Sequence, residues 1–162
     1  MPVTPKIRPM LWFDGQAEEA ATFYVSIFPD SKILDIARYG DTGPGPKGSV
    51  MTVAFRLGDQ ELVALNGGPQ FTFTEAISLA IEVETQEEVD RYWKALTASG
   101  GQEGVCGWLK DRYGLSWQVV PSAVIRAVSG SDEKKADRVM AAVMEMKKIE
   151  LPKIEAAARG GA

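Results

Sequence analysis

The sequence predicts an α+β fold in which a strand–helix–three-strand module occurs twice and a helical tail follows. Three observations lead to this prediction. Short apolar strands alternate with turn residues, the same order of elements occurs in both halves, and helix-forming residues dominate from about Gly130. We expect residues 1–129 to form one domain from modules at about 5–68 and 75–122, and residues 130–162 to form a C-terminal helical extension.

The first module is expected to contain a strand, a helix and three further strands. Its helix, at about residues 17–28, carries one apolar stripe at helical spacing, formed by Ala17, Ala20, Ala21, Tyr24 and Phe28. The dipeptide Gly58-Asp59 is a strong signal for a short hairpin. The predicted strands cover residues 7–13, 32–39, 50–57 and 61–66.

The second module repeats this order. Thr85 and Glu88 form a capping-box pattern before a helix that ends at residues 99–101. The predicted strands cover residues 77–83, about 105–108 and 115–120. The two helices match in sequence, since Glu18-Glu19-Ala20 corresponds to Glu87-Glu88-Val89, although chance similarity of two amphipathic helices is the alternative. Two such modules side by side are expected to form a curved sheet whose open faces make a cup.

The tail has no counterpart in the first half of the chain. Asp132 is expected to cap a helix whose buried stripe includes Val139 and Val143, and Leu151-Pro152 is expected to end it before a short second helix. We expect the tail to pack across a sheet edge or against a neighbouring subunit.

The composition excludes several classes of protein. The chain has no histidine, the commonest general base and zinc ligand, so any chemistry must use other side chains or a cofactor. The net charge is −4 without a Lys/Arg cluster, which argues against nucleic acid as a partner. No apolar run approaches the roughly 18–20 residues of a membrane span. A single cysteine, Cys106, and an N-terminus without a secretory signal predict a cytoplasmic protein.

Strand alternation predicts which residues line the cup. If Val53 and Phe55 face the helix, their neighbours face inward, and an Arg and a Glu among small residues suit a polar or charged small ligand. The alternatives are that Arg56 and Glu82 lie in solvent at strand ends and that Gln118 is a structural amide. No catalytic residue is identified. The predicted polar lining is Arg56, Asn66, Ser78, Glu82, Ser116 and Gln118.

Two further patterns favour structural roles. Residues 43–48, "GPGPKG", spell the spacing G-x-G-x-x-G, but a strand follows where a dinucleotide site needs a helix, so a rim over the cup is favoured. Cys106 is interpreted as a small buried filler, and Asp111 as part of a polar hairpin turn.

Four segments resemble the PhnB-like branch of the vicinal oxygen chelate superfamily, which contains glyoxalase I, bleomycin-resistance proteins and extradiol dioxygenases. These segments are "FYVSIFPDSKI", "LNGGPQF", "GWLKDRYGLSWQVVP" and "RVMAAVMEMKKIELPKIEAA". Proteins of this branch often carry the label 3-demethylubiquinone-9 3-methyltransferase. The resemblance implies a paired-module fold, usually a homodimer, with a cup for a small molecule.

The resemblance also implies where a metal would bind. In metal-using relatives each module supplies two ligands, one early in its first strand and one in its last strand. In the second module these positions fall on Ser78 and Gln118, and in the first on Ile7 or Pro9 and near Ala64. Such a set does not hold a divalent transition metal, so we expect neither a metal nor another cofactor.

The resulting hypothesis is a metal-free protein that binds an unidentified small molecule. One alternative is a lyase, isomerase or dioxygenase that uses Glu61, Glu82 or a loosely held metal. Another is sequestration of a planar aromatic ligand at a dimer interface. The methyltransferase label does not fit, because the usual S-adenosylmethionine enzymes alternate strands with helices and carry a Gly-rich turn.

Overall fold

The structure is a computed structural model that describes residues 6–160. The chain divides into two compact units, one ending at Thr72 and the other beginning at Phe73. Each unit contains a four-stranded mixed sheet, and helices follow the second sheet. The predicted α+β fold with two strand–helix–three-strand modules and a helical tail is therefore confirmed. None of the helices in the described range is long and apolar enough to cross a membrane.

In the first unit, one helix covers one face of the sheet. The strand order is β1-β4-β3-β2, with β1 parallel to β4 and the other neighbours antiparallel. The helix buries Ala17, Ala20, Ala21 and Tyr24 of the predicted stripe, whereas Phe28 lies just past its end and is half-buried. Tyr24 stacks on Phe55 at a ring distance of 6.1 Å. The elements are β1 Met10–Phe13, α1 Ala17–Ile27, β2 Lys32–Arg38, β3 Val50–Leu57 and β4 Gln60–Asn66.

The second unit repeats this topology with the strand order β5-β8-β7-β6. The hydroxyl of Thr85 accepts a hydrogen bond from the Glu88 N–H at 3.2 Å, as a helix cap does. The Glu88 carboxylate accepts from the backbone N–H of Glu84 at 3.4 Å, one residue before the position that a capping box predicts. The elements are β5 Ser78–Val83, α2 Gln86–Thr97, β6 Gln102–Glu103, β7 Trp108–Lys110 and β8 Ser116–Pro121.

The strand predicted at residues 105–108 is wrong. Cys106 and Gly107 both have positive φ, 59° and 81°, a conformation that a strand does not adopt. Their N–H groups donate to the carbonyls of Met146 and Lys147 at 2.8 Å each, so the tail takes the hydrogen bonds that a longer strand would have used. Residues 104–107 therefore form a loop that joins the paired strands β6 and β7.

The tail forms three helices, α3 Ser122–Ser129, α4 Glu133–Met144 and α5 Leu151–Arg159. The sequence analysis did not predict α3. Asp132 caps α4 as expected, accepting from the Lys135 N–H at 3.0 Å. Leu151-Pro152 does not end α4 but begins α5, because proline is tolerated in the first turn of a helix. The three helices share an apolar core within the second unit, formed by Val124, Ala127, Val139, Val143, Met146, Ile149 and Ile154.

Candidate functional site

The first sheet has an open face, the face opposite α1, and Arg56 lies on it. Paired residues on antiparallel strands share a face, and Arg56 pairs with Glu61 while its neighbour Phe55 is fully buried on the helix side. The buried Nε of Arg56 has no hydrogen-bond partner in the described part of the chain. Lys6 donates to Glu61 at 2.6 Å, and this hydrogen bond holds the pKa of the Glu61 carboxyl below its usual value. A role for Arg56 in binding stays a prediction.

The inward orientation predicted for Asn66 is wrong. Ala64 pairs with Val53, which faces the helix, so Ala64 and Asn66 lie on the helix side and not on the open face. The Asn66 side chain accepts from the Ala17 N–H at 2.9 Å and donates to the Val50 carbonyl at 3.1 Å. Asn66 thus joins the start of α1 to β3, a structural role that strand alternation alone does not reveal.

Three predicted residues meet on the open face of the second sheet, the face opposite α2. Ser78 pairs with Ser116 in the register of β5 and β8, and Gln118 is two residues further along β8. The Gln118 amide donates to the Ser78 hydroxyl at 3.0 Å. Trp117 and Val119, at 2% and 0% exposure, lie on the opposite face. Ser116 and Gln118 therefore lie on the face of β8 that points away from α2.

Ser116 is the unusual member of this group. It is 1% exposed, and its hydroxyl has no hydrogen-bond partner in the described part of the chain. Most buried hydroxyl groups in proteins are hydrogen-bonded, and one that is not costs about 1–3 kcal/mol. Ser116 therefore carries an unused donor and acceptor into the site.

Glu82 lies on the open face of the second sheet but apart from the group formed by Ser78, Ser116 and Gln118. It lies four residues beyond Ser78 on β5, about 13 Å along an extended strand. The Ser122 hydroxyl lies 2.7 Å from a carboxylate oxygen of Glu82 and equally close to one of Glu84. Glu82 is thus connected to the first residue of α3 and not to Gln118.

A cavity of about 580 Å³ opens beside Ser116. Lys110 pairs with Ser116 across β7 and β8, so both side chains lie on the open face. Lys110 forms an ion pair with Glu75, and this hydrogen bond lowers the pKa of the Glu75 carboxyl. The walls consist of Glu75, Gln102, Glu103, Gly104, Val105, Cys106, Trp108, Leu109, Lys110 and Ser116.

Sequence reasoning missed Glu75, Trp108 and Lys110 as members of this site. The strand β7 was predicted at residues 105–108, which leaves Lys110 outside it. Once the strand is placed at Trp108–Lys110, alternation puts Trp108 opposite Gln118 and Lys110 opposite Ser116. A correct strand boundary would therefore have been sufficient to find the two β7 residues, whereas Glu75 lies in a loop without a pattern.

The two modules place a basic residue at the same position. In the first, Arg56 of β3 pairs with Glu61 of β4, and in the second, Lys110 of β7 pairs with Ser116 of β8.

The parallel pairs end at Phe13 with Asn66 and at Val83 with Pro121. When residues are counted back from the ends of the two parallel strand pairs, Gln118 corresponds to Val63. By the same count, Ser78 corresponds to Arg8. The equivalents predicted in the first module, Ile7 or Pro9 and a position near Ala64, are each one residue away.

A second cavity, of about 360 Å³, lies within the first unit at the start of α1. Tyr39 forms its floor and donates its hydroxyl to the Asn66 carbonyl at 2.6 Å. The Gly/Pro loop packs on this ring, since a Cβ at Gly45 would come within 2.3 Å of it. The loop then leads into β3. Between residues 6 and 160, no three Cys, Asp or Glu side chains form a group that could hold a metal ion.

The paired strand–helix–three-strand modules give the chain a glyoxalase-like fold. The family described as 3-demethylubiquinone-9 3-methyltransferase matches residues 5–120, and the chain belongs to this family. The PhnB protein from Bacillus cereus is 39% identical, with a TM-score of 0.65 over 72% of this chain and 99% of that chain.

More distant structures share the fold alone. Protein PA1353 from Pseudomonas aeruginosa is 22% identical, with a TM-score of 0.61 over 73% of this chain and 98% of that chain. The fosfomycin resistance protein FosX from Listeria monocytogenes is 14% identical, with a TM-score of 0.50 over 74% of this chain and 94% of that chain. A comparison with curated proteins gave no significant match.

Proposed function

We propose that this protein binds a small organic molecule on the open face of the second sheet and holds no transition metal there. The observation that carries the proposal is Ser116, a residue of the cavity wall whose buried hydroxyl has no hydrogen-bond partner among the described residues. A ligand that supplies this partner gains binding energy because it removes an existing cost. The cavity of about 580 Å³ also has the size of ordinary small-molecule sites.

The chemistry of the residues supports the absence of a metal. The positions that hold metal in other branches of the superfamily correspond here to Ser78 and Gln118, and to Arg8 and Val63 in the first module. A guanidinium has no lone pair to give, and valine has no donor atom. Ser78 and Gln118 are hydrogen-bonded to each other, and one hydroxyl with one amide does not hold a divalent transition metal. No step of the function is therefore assigned to a metal.

The catalytic alternatives have less support. Glu61 and Glu82, the acids that a lyase, isomerase or dioxygenase would use, are hydrogen-bonded to Lys6 and Ser122, respectively, and belong to different units. Methyl transfer, the chemistry in the family's name, usually relies on a continuous parallel sheet, whereas both sheets here are mixed and four-stranded. Binding is the function that the geometry favours.

Two measurements on the full chain test this proposal. Elemental analysis of protein purified without chelator should find far less than one equivalent of Zn, Ni, Fe or Mn. A stoichiometric metal that is lost in Gln118→Ala would contradict the metal-free site.

The binding site itself is tested by screening a fragment library with ligand-observed NMR and mapping each hit through backbone amide shifts. Shifts are expected to cluster at Ser78, at residues 102–110 and at residues 116–118. A screen without hits, or hits that map only to the cavity beside Tyr39, would refute the proposed site.

A further inference from the structure

We infer that the ligand is an apolar monocarboxylate and that Glu75 occupies the place of the ligand's carboxylate beside Lys110. This inference rests on the proposed binding function and names the class of molecule bound. It depends on the donors in the cavity wall, on the charge of that wall and on the exposure of the Glu75–Lys110 pair.

Two donors of the wall lie on the same face of the second sheet. Lys110 and Ser116 are paired residues on adjacent antiparallel strands, so their Cα atoms lie about 5 Å apart and their side chains share a face. An ammonium group can only donate hydrogen bonds, and the Ser116 hydroxyl has no acceptor among the described residues. A group that satisfies both must accept two hydrogen bonds, and a carboxylate does so with charge-assisted bonds.

The charge of the wall limits the ligand to one negative charge. Lys110 is the only cation among the residues that line the cavity, whereas Glu75 and Glu103 are both acidic. Glu103 is already engaged, since it accepts from the indole N–H of Trp93 at 2.7 Å. A dianion would therefore bring a second negative charge into a wall that has no second cation to neutralise it.

Glu75 can be displaced at little cost. Its side chain is 61% exposed and that of Lys110 is 38% exposed, and ion pairs so open to solvent contribute little to stability. Glu75 does not satisfy Ser116, whose hydroxyl has no hydrogen-bond partner within residues 6–160 while the Glu75–Lys110 ion pair is formed. A ligand carboxylate that contacts both groups makes one hydrogen bond more than Glu75 does.

The remaining wall suits an apolar body. Val105, Cys106, Trp108 and Leu109 line the cavity next to the two donors. Val105 is 61% exposed, so the cavity wall presents accessible apolar surface beside the donors. A cationic ligand would pair with Glu75 and leave Lys110 and Ser116 unused.

Isothermal titration calorimetry with three naphthalene probes tests the inference. The probes 1-naphthylacetate, 1-naphthylacetamide and 1-naphthylmethylammonium share one ring and differ in charge. We expect the carboxylate to bind the full-length protein about tenfold more tightly than the amide, the effect of one additional charge-assisted hydrogen bond, and the cation to bind more weakly than both. Circular dichroism of each variant confirms that it is folded.

Three variants assign this preference to residues. Lys110→Met should abolish the difference between carboxylate and amide, and Ser116→Ala should weaken the carboxylate about five- to tenfold. Glu75→Gln should strengthen carboxylate binding several-fold because the competing carboxylate is gone. The matched control Glu87→Gln removes the same charge from an exposed position on α2 and should change nothing.

Each contrary result has a distinct meaning. Equal affinities for carboxylate and amide, or tighter binding of the cation, would overturn the ligand class, while amide shifts at residues 102–110 would leave the proposed binding function standing. Weaker carboxylate binding by Glu75→Gln would overturn the role of Glu75 as a competitor. Failure of all three probes to bind at about 5 mM would overturn the inference as a whole.

Discussion

Asp111→Asn should destabilise the hairpin that positions Lys110 and Ser116. Asp111 is 2% exposed, and its carboxylate accepts from the Tyr113 N–H at 2.8 Å, the Leu115 N–H at 3.1 Å and the Trp117 indole at 2.9 Å. From the sequence, this residue was interpreted as part of a polar hairpin turn. The structure instead makes it a buried acceptor that connects the turn to β8.

The loss of unfolding free energy depends on which carboxylate oxygen of Asp111 the substitution replaces. The two backbone N–H groups bond to Oδ1, which an asparagine retains, whereas the Trp117 indole bonds to Oδ2, which becomes an NH₂ group facing another donor. One hydrogen bond to a charged group is lost, which corresponds to about 2–3 kcal/mol of unfolding free energy. Urea denaturation followed by circular dichroism measures it.

A double-mutant cycle isolates the contact. In a Trp117→Phe background the donor is absent, so Asp111→Asn should cost about 1–2 kcal/mol less than in the wild type. Asp59→Asn, at the exposed turn between β3 and β4, is the matched control and should change stability by less than about 0.5 kcal/mol. If the losses of unfolding free energy caused by Asp111→Asn and by Trp117→Phe are additive within about 0.5 kcal/mol, the Asp111–Trp117 hydrogen bond does not stabilise the hairpin.

Three further predictions concern other parts of the molecule. Gly45→Ala should lower the free energy of unfolding in urea by about 1–3 kcal/mol because its Cβ would meet the Tyr39 ring. Gly40→Ala, whose Cβ would have no atom within 4 Å, should leave the free energy of unfolding unchanged. The hydrogen bond from Lys148 lowers the pKa of Asp90 below 3.8, so its stabilising contribution is present at neutral pH and is lost as the pH falls through that lowered value. In Lys148→Met the pKa of Asp90, measured as the midpoint of an NMR titration of its carboxyl, should rise toward 3.8. An unchanged midpoint would contradict the Lys148–Asp90 ion pair. The full chain should be a homodimer at micromolar concentration, with an interface of sheet-edge residues or tail helices that buries about 1,600 Å² or more, and a monomer mass in light scattering would exclude it.

Local patterns in the sequence were sufficient for most elements. The bounds of β3, Val50–Leu57, agree with those predicted, because alternating apolar residues end at the Gly58-Asp59 turn. The cap at Thr85 was likewise readable, since a hydroxyl followed three residues later by a carboxylate satisfies free N–H groups within one turn. Such signals act between residues close in sequence, where no other part of the chain competes.

Strand orientation failed where the pattern was ambiguous. Residues 62–65 are all apolar, so alternation alone cannot tell which of them faces the helix. The pairing of Val53 with Ala64 decides it and carries Asn66 to the helix side. A continuous apolar run in one strand takes its orientation from its neighbour.

The sequence by itself determined the class of fold, the repeat of the two modules and the polar face of β8, because periodicity and turn residues are local properties. The tertiary structure alone decided where β7 begins, since that depends on hydrogen bonds from Cys106 and Gly107 to carbonyls about 40 residues away. It also decided that Lys110 lies opposite a buried Ser116 whose hydroxyl has no hydrogen-bond partner in the part of the chain that the structure describes. A binding site is formed by groups left unsatisfied after folding, and which groups remain so depends on every strand that packs around them.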